Sequence, residues 1–185
     1  VKILLVDSEV APKLLHKIAA RLMMSGVRLK CCPKAKSLLS AKGLTVDSAT
    51  ESDWGTEYLD LVLPVKIVDG LDEAIAHINI HGSRHTDSII TEDIDSAKKF
   101  LRMVDSSTVI HNASTRFSDG YRYGLGAEVG ISTNKIHARG PVGLEGIVTT
   151  KFILLGSGHK VGDYVGKGAK PFLHYPLDKN FKGRY

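Results

Sequence analysis

The sequence has few cysteines, few aromatic residues and no long apolar segment. Its two cysteines are adjacent, Cys31 and Cys32, which rules out a framework of disulfides. Aromatic residues make up 6% of the 185 residues, and no apolar run approaches the roughly 18 residues that a membrane-spanning helix needs. With 43% hydrophobic and 24% charged residues, the composition is typical of a soluble globular protein and excludes collagen, coiled-coil and disordered classes.

The net charge is small and unevenly distributed. The formal charge is +5, and most of the excess lies between residues 157 and 185, where six basic side chains accompany two acidic ones. A nucleic-acid binder usually carries its basic stripe on the folded body, so a solvated tail is favoured over a nucleic-acid arm. Neither a nucleic acid nor a membrane is therefore expected as a partner, and the free thiols predict a reducing, cytoplasmic environment.

Short apolar runs alternate with segments of helical periodicity. Strands are predicted at residues 2–6, 27–32, 59–68, 87–91 and 107–112, and helices at 14–22, 34–42, 71–82 and 95–104. This alternation predicts an α/β domain with a mostly parallel sheet. Pro64 favours an edge or an irregularity in the third strand. Ligands of such sheets bind beyond the carboxyl ends of the strands, which directs attention to the loop after residue 112.

The character of the sequence changes at that loop. Residues 112–146 are rich in glycine and lose both periodicities, while Phe117, Tyr121 and Tyr123 argue against disorder. A long loop of this kind in a compact domain is usually functional. Pro141 suits the first turn of a helix, and a last helix is therefore predicted over residues 143–155.

Two parts of this loop are candidates for a binding site. The segment NASTRFS, residues 112–118, offers an amide, three hydroxyls and a guanidinium, which suit a carboxylate or a phosphate. A capping loop with a surface arginine is the alternative. The glycines at 124–126 and 140–146 match no dinucleotide or phosphate-loop fingerprint, and they predict turns that a ligand can approach closely.

Histidines and cysteines give weaker signals. His77, His81 and His85 are spaced by four residues, as metal ligands on one helix face can be. Gly82 is expected to end the helix before His85, which favours capping and loop roles, and no metal site is predicted. Neither cysteine has a feature that activates a thiol, so the chain offers no convincing nucleophile.

Four segments resemble the gamma-glutamyl phosphate reductase family, also called glutamate-5-semialdehyde dehydrogenases. They are HINIHGSRHTDSI (77–89), NASTRFSDG (112–120), GLGAEVGIST (124–133) and HARGPVGLEG (137–146). The resemblance covers about residues 1–165 and implies the aldehyde dehydrogenase fold. In that fold, residues 1–155 would form the catalytic α/β domain, and residues 156–185 an oligomerisation arm or tail that makes the protein a homo-oligomer. The tail resembles the single-function fungal forms.

The resemblance also implies a reaction. The family reduces gamma-glutamyl phosphate with NADPH to glutamate-5-semialdehyde and phosphate, a step of proline biosynthesis. A cysteine thiolate attacks the acyl phosphate, and hydride transfer to the thioacyl intermediate releases the aldehyde.

Particular residues acquire roles through the resemblance. Substrate binding is implied for four residues after the last predicted strand: Asn112, Ser114, Thr115 and Arg116. Cofactor binding is implied for Glu57, Gly124 and Gly126. Arg116 would meet an acidic group of the glutamyl moiety, and Glu57 the nicotinamide ribose. For His137 and Arg139, contact with phosphate and a structural pairing are equally open.

The family's nucleophile lies in a Cys-Asn-Ala-x-Glu motif directly before the run that matches residues 1–6. The catalytic cysteine and most of the nucleotide-binding domain are therefore expected upstream of Val1, and the chain is interpreted as the C-terminal portion of an oxidoreductase. Two alternatives stay open: a naturally shortened, non-catalytic partner of the full enzyme, and the C-terminal part of a two-function kinase–reductase. The intact segment at 112–116 favours the first interpretation.

We predict that this chain alone has no reductase activity, because neither of its thiols is suited to attack an acyl phosphate. The measurement is phosphate-dependent reduction of NADP⁺ in the presence of glutamate-5-semialdehyde. Turnover that disappears when Cys31 or Cys32 is replaced would contradict the prediction.

Overall fold

A computed structural model describes residues 1–175, which belong to two compact units, Val1–Val148 and a second that begins at Thr149. The last ten residues of the predicted tail lie outside the described part. The first unit contains, in chain order, β1 (Leu4–Asp7), α1 (Ala11–Met24), β2 (Arg28–Cys31), α2 (Pro33–Ser40), β3 (Asp47–Ser48), β4 (Val62–Val68), α3 (Leu71–His81), β5 (Thr86–Ile89), α4 (Ile94–Met103), β6 (Thr108–His111), β7 (Gly130–Ser132) and β8 (Gly140–Val142).

The strands form one larger sheet and two pairs. The larger sheet has the order β1–β4–β2–β3, with every neighbour parallel. β5 and β6 form a second parallel pair, and β7 pairs antiparallel with β8. The prediction of an α/β fold with a mostly parallel sheet is confirmed.

The main core lies between the larger sheet and helices α1 and α2. Leu15 and Ala19, one helical turn apart on α1, are buried against the same cluster as Leu39 of α2 and Val65 of β4. Such spacing gives a helix one apolar face, and burying each leucine contributes roughly 2 kcal/mol. A smaller cluster of Ile75, Phe100 and Val104 packs α3 against α4 and the β5–β6 pair.

Pro64 lies in a central strand of the larger sheet, so the edge position, one of the two alternatives predicted for it, is wrong. The carbonyl groups of Leu61 and Val65 accept hydrogen bonds from β2, so Pro64 between them faces β1. The register pairs Leu4, the first residue of β1, with Val65. The missing N–H of Pro64 therefore falls just before the β1 ladder begins, where a proline interrupts no pairing.

The helix predicted over residues 143–155 is also wrong. A single 3₁₀ turn, Leu144–Gly146, follows β8, and residues 147–156 form neither helix nor strand. Four β-branched residues in succession, 147–150, lose side-chain freedom in a helix. Pro141, expected in the helix, lies in β8.

The second unit contains one 3₁₀ turn, Val161–Tyr164, within its described residues. The Tyr164 ring stacks on Phe172 with ring centroids 5.3 Å apart, and Lys170 pairs with Asp163 at 3.2 Å. Phe172 itself is largely exposed. The described residues 149–175 contain no strand, so an oligomerisation arm is not confirmed. No helix in the described part of the chain is long and apolar enough to span a membrane.

A buried carboxylate fixes the chain that leads into β4. Asp53 is 2% exposed and accepts hydrogen bonds from Lys30 Nζ at 2.7 Å, from the N–H and hydroxyl of Thr50 at 2.6 and 2.9 Å, and from the Tyr58 hydroxyl. Burial alone would raise the pKa of Asp53, but these bonds, led by that from Lys30, together hold the pKa well below its usual range. The carboxylate thereby joins β2 to the loop that carries Glu57.

We predict that Asp53→Asn lowers the free energy of unfolding by about 2–3 kcal/mol at pH 7. The NH₂ group of the asparagine would face N–H and O–H donors from which only a carboxylate oxygen can accept. Folding lowers the pKa of Asp53, so its contribution is present above the unfolded pKa of about 4 and is lost as the pH falls below it. Urea unfolding of both proteins between pH 3 and pH 7 measures this. Asp72→Asn, at an exposed ion pair, is the control, and a stability difference that does not shrink in acid would contradict the assignment.

Candidate active site

The candidate site begins where β6 ends. Asn112 has a φ of 52°, a left-handed conformation that asparagine tolerates better than most residues. Its side-chain oxygen accepts from the N–H of Thr91, and its Nδ2 donates to the Thr91 carbonyl, both at 2.9 Å. Thr91 follows β5, so the amide joins the carboxyl ends of the two parallel strands. Asn112 thus holds the site's backbone in place.

After Asn112 the chain turns back over the β5–β6 pair. Ser88 of β5 donates to the carbonyl of Ala113 at 2.8 Å, and the hydroxyls of Thr108 and Ser118 lie 3.3 Å apart. Between these contacts, Ser114 Oγ accepts from the N–H of Arg116 at 3.2 Å and caps the 3₁₀ turn Thr115–Phe117. The predicted capping role and the predicted polar cluster therefore occur in the same segment.

Arg116 differs from the other two arginines near this segment. Arg122 donates to the Arg116 carbonyl at 2.8 Å and to Asp119 at 3.2 Å. Arg139 pairs with Asp105 at 3.0 Å, so a structural pairing occupies this arginine, one of the two roles left open. The guanidinium of Arg116 is exposed and has no hydrogen-bond or ion-pair partner among residues 1–175. It is therefore available to an anion.

The glycines that follow form a turn with an open backbone, here named the glycine loop, residues 120–128. Gly124 and Gly126 have φ values of 77° and 75°, which suit glycine, and nothing lies within 4 Å of where their Cβ atoms would be. A Cβ on Gly143 would stand 2.7 Å from the Leu125 carbonyl oxygen. The loop therefore rests directly on the backbone of Gly143.

Glu57 is exposed on the loop between Trp54 and β4. No hydrogen bond joins it to the segment 112–128 within the described residues, and its neighbour Tyr58 is held by Asp53. The structure thus groups Arg116 with the glycine loop, through Arg122, and leaves Glu57 on the loop that leads into the larger sheet. The roles of these residues in binding stay predictions.

Two carboxylates hold the backbone of this region in place, and neither role was predicted from the sequence. Asp119 Oδ1 accepts from the N–H of Tyr121 at 2.8 Å, a turn that the Asp-Gly pair at 119–120 could have indicated. Glu128 accepts from the N–H of Gly120 at 2.7 Å. A contact across eight residues of irregular chain has no periodic signal, so Glu128 could not have been found.

The histidines occupy structural positions. Helix α3 ends at His81, with Gly82 extended, so His85 lies beyond the helix as predicted. Burial and the nearby Lys66 lower the pKa of His77 to about 4, so the ring is neutral. Its centroid lies 4.6 Å from that of His81. Residues 1–175 contain no cluster of three or more side chains suited to a metal ion.

Both thiols are buried in the main core. Burial and the adjacent Cys32 raise the pKa of Cys31 to about 12. The Cys32 sulfur accepts from the N–H groups of Ala35 and Ile67, each at 3.4 Å, and caps α2. Neither thiol is placed to act as a nucleophile.

Comparison with known proteins identifies relatives of the whole described region. No protein-family model matches the chain. The gamma-glutamyl phosphate reductase of Methanosarcina mazei is 54% identical over 183 residues, 98% of this chain and 41% of the relative. That of Natronomonas pharaonis is 53% identical over 178 residues, 96% of this chain and 40% of the relative. The crystal structure of the Thermotoga maritima enzyme of the same name has a TM-score of 0.78 and 46% identity, over 85% of this chain and 37% of that one.

The mostly parallel sheet and the likeness to the Thermotoga maritima structure place the chain in the class of α/β proteins that share that fold. Within that class, the chain belongs to the gamma-glutamyl phosphate reductase family. It spans about two-fifths of the length of the curated relatives that it matches.

We predict that neither cysteine of the folded protein reacts with an aromatic disulfide reagent at pH 8. A pKa of about 12 leaves roughly one Cys31 thiol in 10,000 ionised, and only the thiolate attacks. Two thiols should be titrated after unfolding in urea. Ser40→Cys, at an exposed position, should add one rapidly reacting thiol. Rapid labelling of either native cysteine would overturn the structural assignment.

Proposed function

We propose that this chain supplies the substrate-binding part of a gamma-glutamyl phosphate reductase. The proposed reaction is the NADPH-dependent reduction of gamma-glutamyl phosphate to glutamate-5-semialdehyde and phosphate in proline biosynthesis. The observation that carries the proposal is Arg116, an exposed guanidinium without a partner in residues 1–175, held on a hydrogen-bonded turn beside the carboxyl end of β6. The name shared by the relatives supports the choice of substrate.

The substrate carries two kinds of anionic group, a carboxylate and a phosphate. A guanidinium offers two parallel donors to either group, and we assign Arg116 to an acidic group of the glutamyl moiety. The Thr115 hydroxyl, one residue away, is the second donor in this assignment. Asn112 and Ser114 hold the segment through Thr91 and the N–H of Arg116, so their part in substrate binding is to orient it.

Residues of the glycine loop fit the approach of a cofactor. The space above Gly124 and Gly126 is open to a distance of 4 Å, and side chains there would block the backbone. We assign these two glycines, together with the exposed carboxylate of Glu57, to the nicotinamide cofactor. When bound, NADPH supplies the hydride that reduces the acyl group. Because both thiols are buried, we assign the nucleophile to another part of the whole protein.

Self-association and compartment belong to the same proposal. Phe152 and Leu154 are fully or almost fully exposed, as apolar side chains at a protein–protein contact are in the separated subunit. We assign them to a contact between copies in a homo-oligomer. The free cysteines Cys31 and Cys32 suit a reducing compartment, and we place the reaction in the cytoplasm.

A chimaera tests the proposed function. The chain replaces the matching two-fifths of the Methanosarcina mazei reductase, to which it is 54% identical. Phosphate-dependent reduction of NADP⁺ with glutamate-5-semialdehyde is then measured. Activity is the expected result. A chimaera that folds and assembles but is inactive would contradict the proposal and favour a non-catalytic partner.

In this chimaera, Arg116→Ala should lower kcat/KM for the semialdehyde by about 30- to 100-fold, the effect of losing a charge-assisted pair. Arg116→Lys should recover part of the loss, since lysine keeps the charge without the planar fork. Arg102→Ala, at an exposed position on α4, is the control. Equal kinetics for Arg116→Ala and Arg102→Ala would remove Arg116 from the site.

A further inference from the structure

A partly buried ion pair connects two distant parts of the first unit. Arg139 Nη2 donates to Asp105 Oδ1 at 3.0 Å and to the Asp105 carbonyl at 3.3 Å. Lys135 lies 2.8 Å from the other carboxylate oxygen. Asp105 follows α4, whereas Arg139 directly precedes β8, so the pair fastens the β7–β8 hairpin to the helical layer.

Asp105 is itself rigidly held. Its N–H donates to Asn79 Oδ1 at 2.9 Å, and Asn79 Nδ2 donates to the carbonyl of Met103 at 3.0 Å. These bonds tie the residue to α3 and α4 at once. Hydrogen bonds from Lys135 and Arg139 hold the pKa of Asp105 below its usual range. The carboxylate is therefore a fixed, charged anchor for the arginine.

The strand that follows Arg139, β8, lies against the glycine loop. Gly143 directly follows β8 and lies against the loop. A Cβ on Gly143 would stand 2.7 Å from the carbonyl oxygen of Leu125 and 3.1 Å from that of Ala127. Val129, directly after the loop, donates to the carbonyl of Val142 at 2.8 Å. The end of the loop is thus supported by β8, and its middle by Gly143, the residue directly after β8.

We propose that Arg139 is a positioning residue, which holds β8 against Asp105 and thereby sets where the glycine loop presents Gly124 and Gly126 to the cofactor. The inference rests on the proposed function for the identity of that cofactor. It does not require Arg139 to touch a ligand. Its Nη2 is occupied by Asp105, and its Nε is buried without a hydrogen-bond partner among residues 1–175.

The test uses two readouts in the chimaera, hydrogen–deuterium exchange of residues 120–128 and KM for NADP⁺. Arg139→Ala should raise the exchange rate of residues 120–128 and the KM for NADP⁺ by about tenfold each, the usual effect of losing a charge-assisted hydrogen bond. It should change kcat less than twofold. Arg139→Lys should restore part of each. Lys99→Ala, which removes the exposed pair with Asp72, should change neither. Asp105→Asn, of nearly identical shape, serves if the alanine variant does not fold.

Each outcome decides a separate point. Unchanged exchange of the loop in both Arg139→Ala and Asp105→Asn would overturn the positioning role. Faster exchange with an unchanged KM would also overturn it, because the ion pair would then serve stability alone. An inactive parent chimaera would instead contradict the proposed function, while exchange would still show whether the pair controls the loop.

Discussion

The parallel pairing of β4 between β1 and β2 is the constraint on which the larger sheet depends. Every apolar residue of β4 is buried, and Val65 belongs to the same core cluster as buried residues of α1 and α2. Because a central strand forms hydrogen bonds along both of its edges, β4 fixes the directions of its two neighbours together. The strand directions in turn set where the connecting loops begin and end. One of these loops is the segment before β4, which Asp53 joins to β2.

Charge is used in this molecule chiefly to hold backbone segments in place. Asp53 joins β2 to the approach of β4, Asp105 joins the helical layer to the β7–β8 hairpin, and Asp119 closes the turn before the glycine loop. Each carboxylate accepts from backbone N–H groups or from basic side chains, so each has a geometric role. Beside the candidate site, Arg116 is a cation that no described carboxylate neutralises. A site for an anion needs such a surplus of positive charge.

Apolar periodicity, together with the glycine and proline residues that end helices and strands, predicted the first two-thirds of the fold well. The helix around Leu15 and the strand that ends at Cys31 follow from apolar spacing and from the glycine or proline that stops them. The position of Pro64 could not be predicted, because it depends on which edge of the strand meets a neighbour at that residue. The helix over 143–155 does not form because four successive β-branched residues, 147–150, lose side-chain freedom in a helix.

The candidate site was predictable in composition and not in its internal contacts. The polar residue types at 112–116 predict either an anionic ligand or a capping loop, and the resemblance favours the ligand, which stays a prediction. The contacts from Glu128 to Gly120 and from Arg139 to Asp105 join residues 8 and 34 positions apart. Irregular chain of this kind folds by individual hydrogen bonds, and local sequence does not encode which partners meet.

Asn112 illustrates how a residue beside a site can be constrained by its contacts with the backbone. Its amide offers one acceptor and one donor to a single residue, Thr91. An aspartate would match the N–H and repel the carbonyl, and a side chain without an oxygen would leave the N–H unmet. Asparagine therefore fits this position because its amide supplies the acceptor and the donor that the N–H and carbonyl of Thr91 require. Over evolutionary time, the ligand preference of the neighbouring segment can diverge while this position has almost no freedom to change.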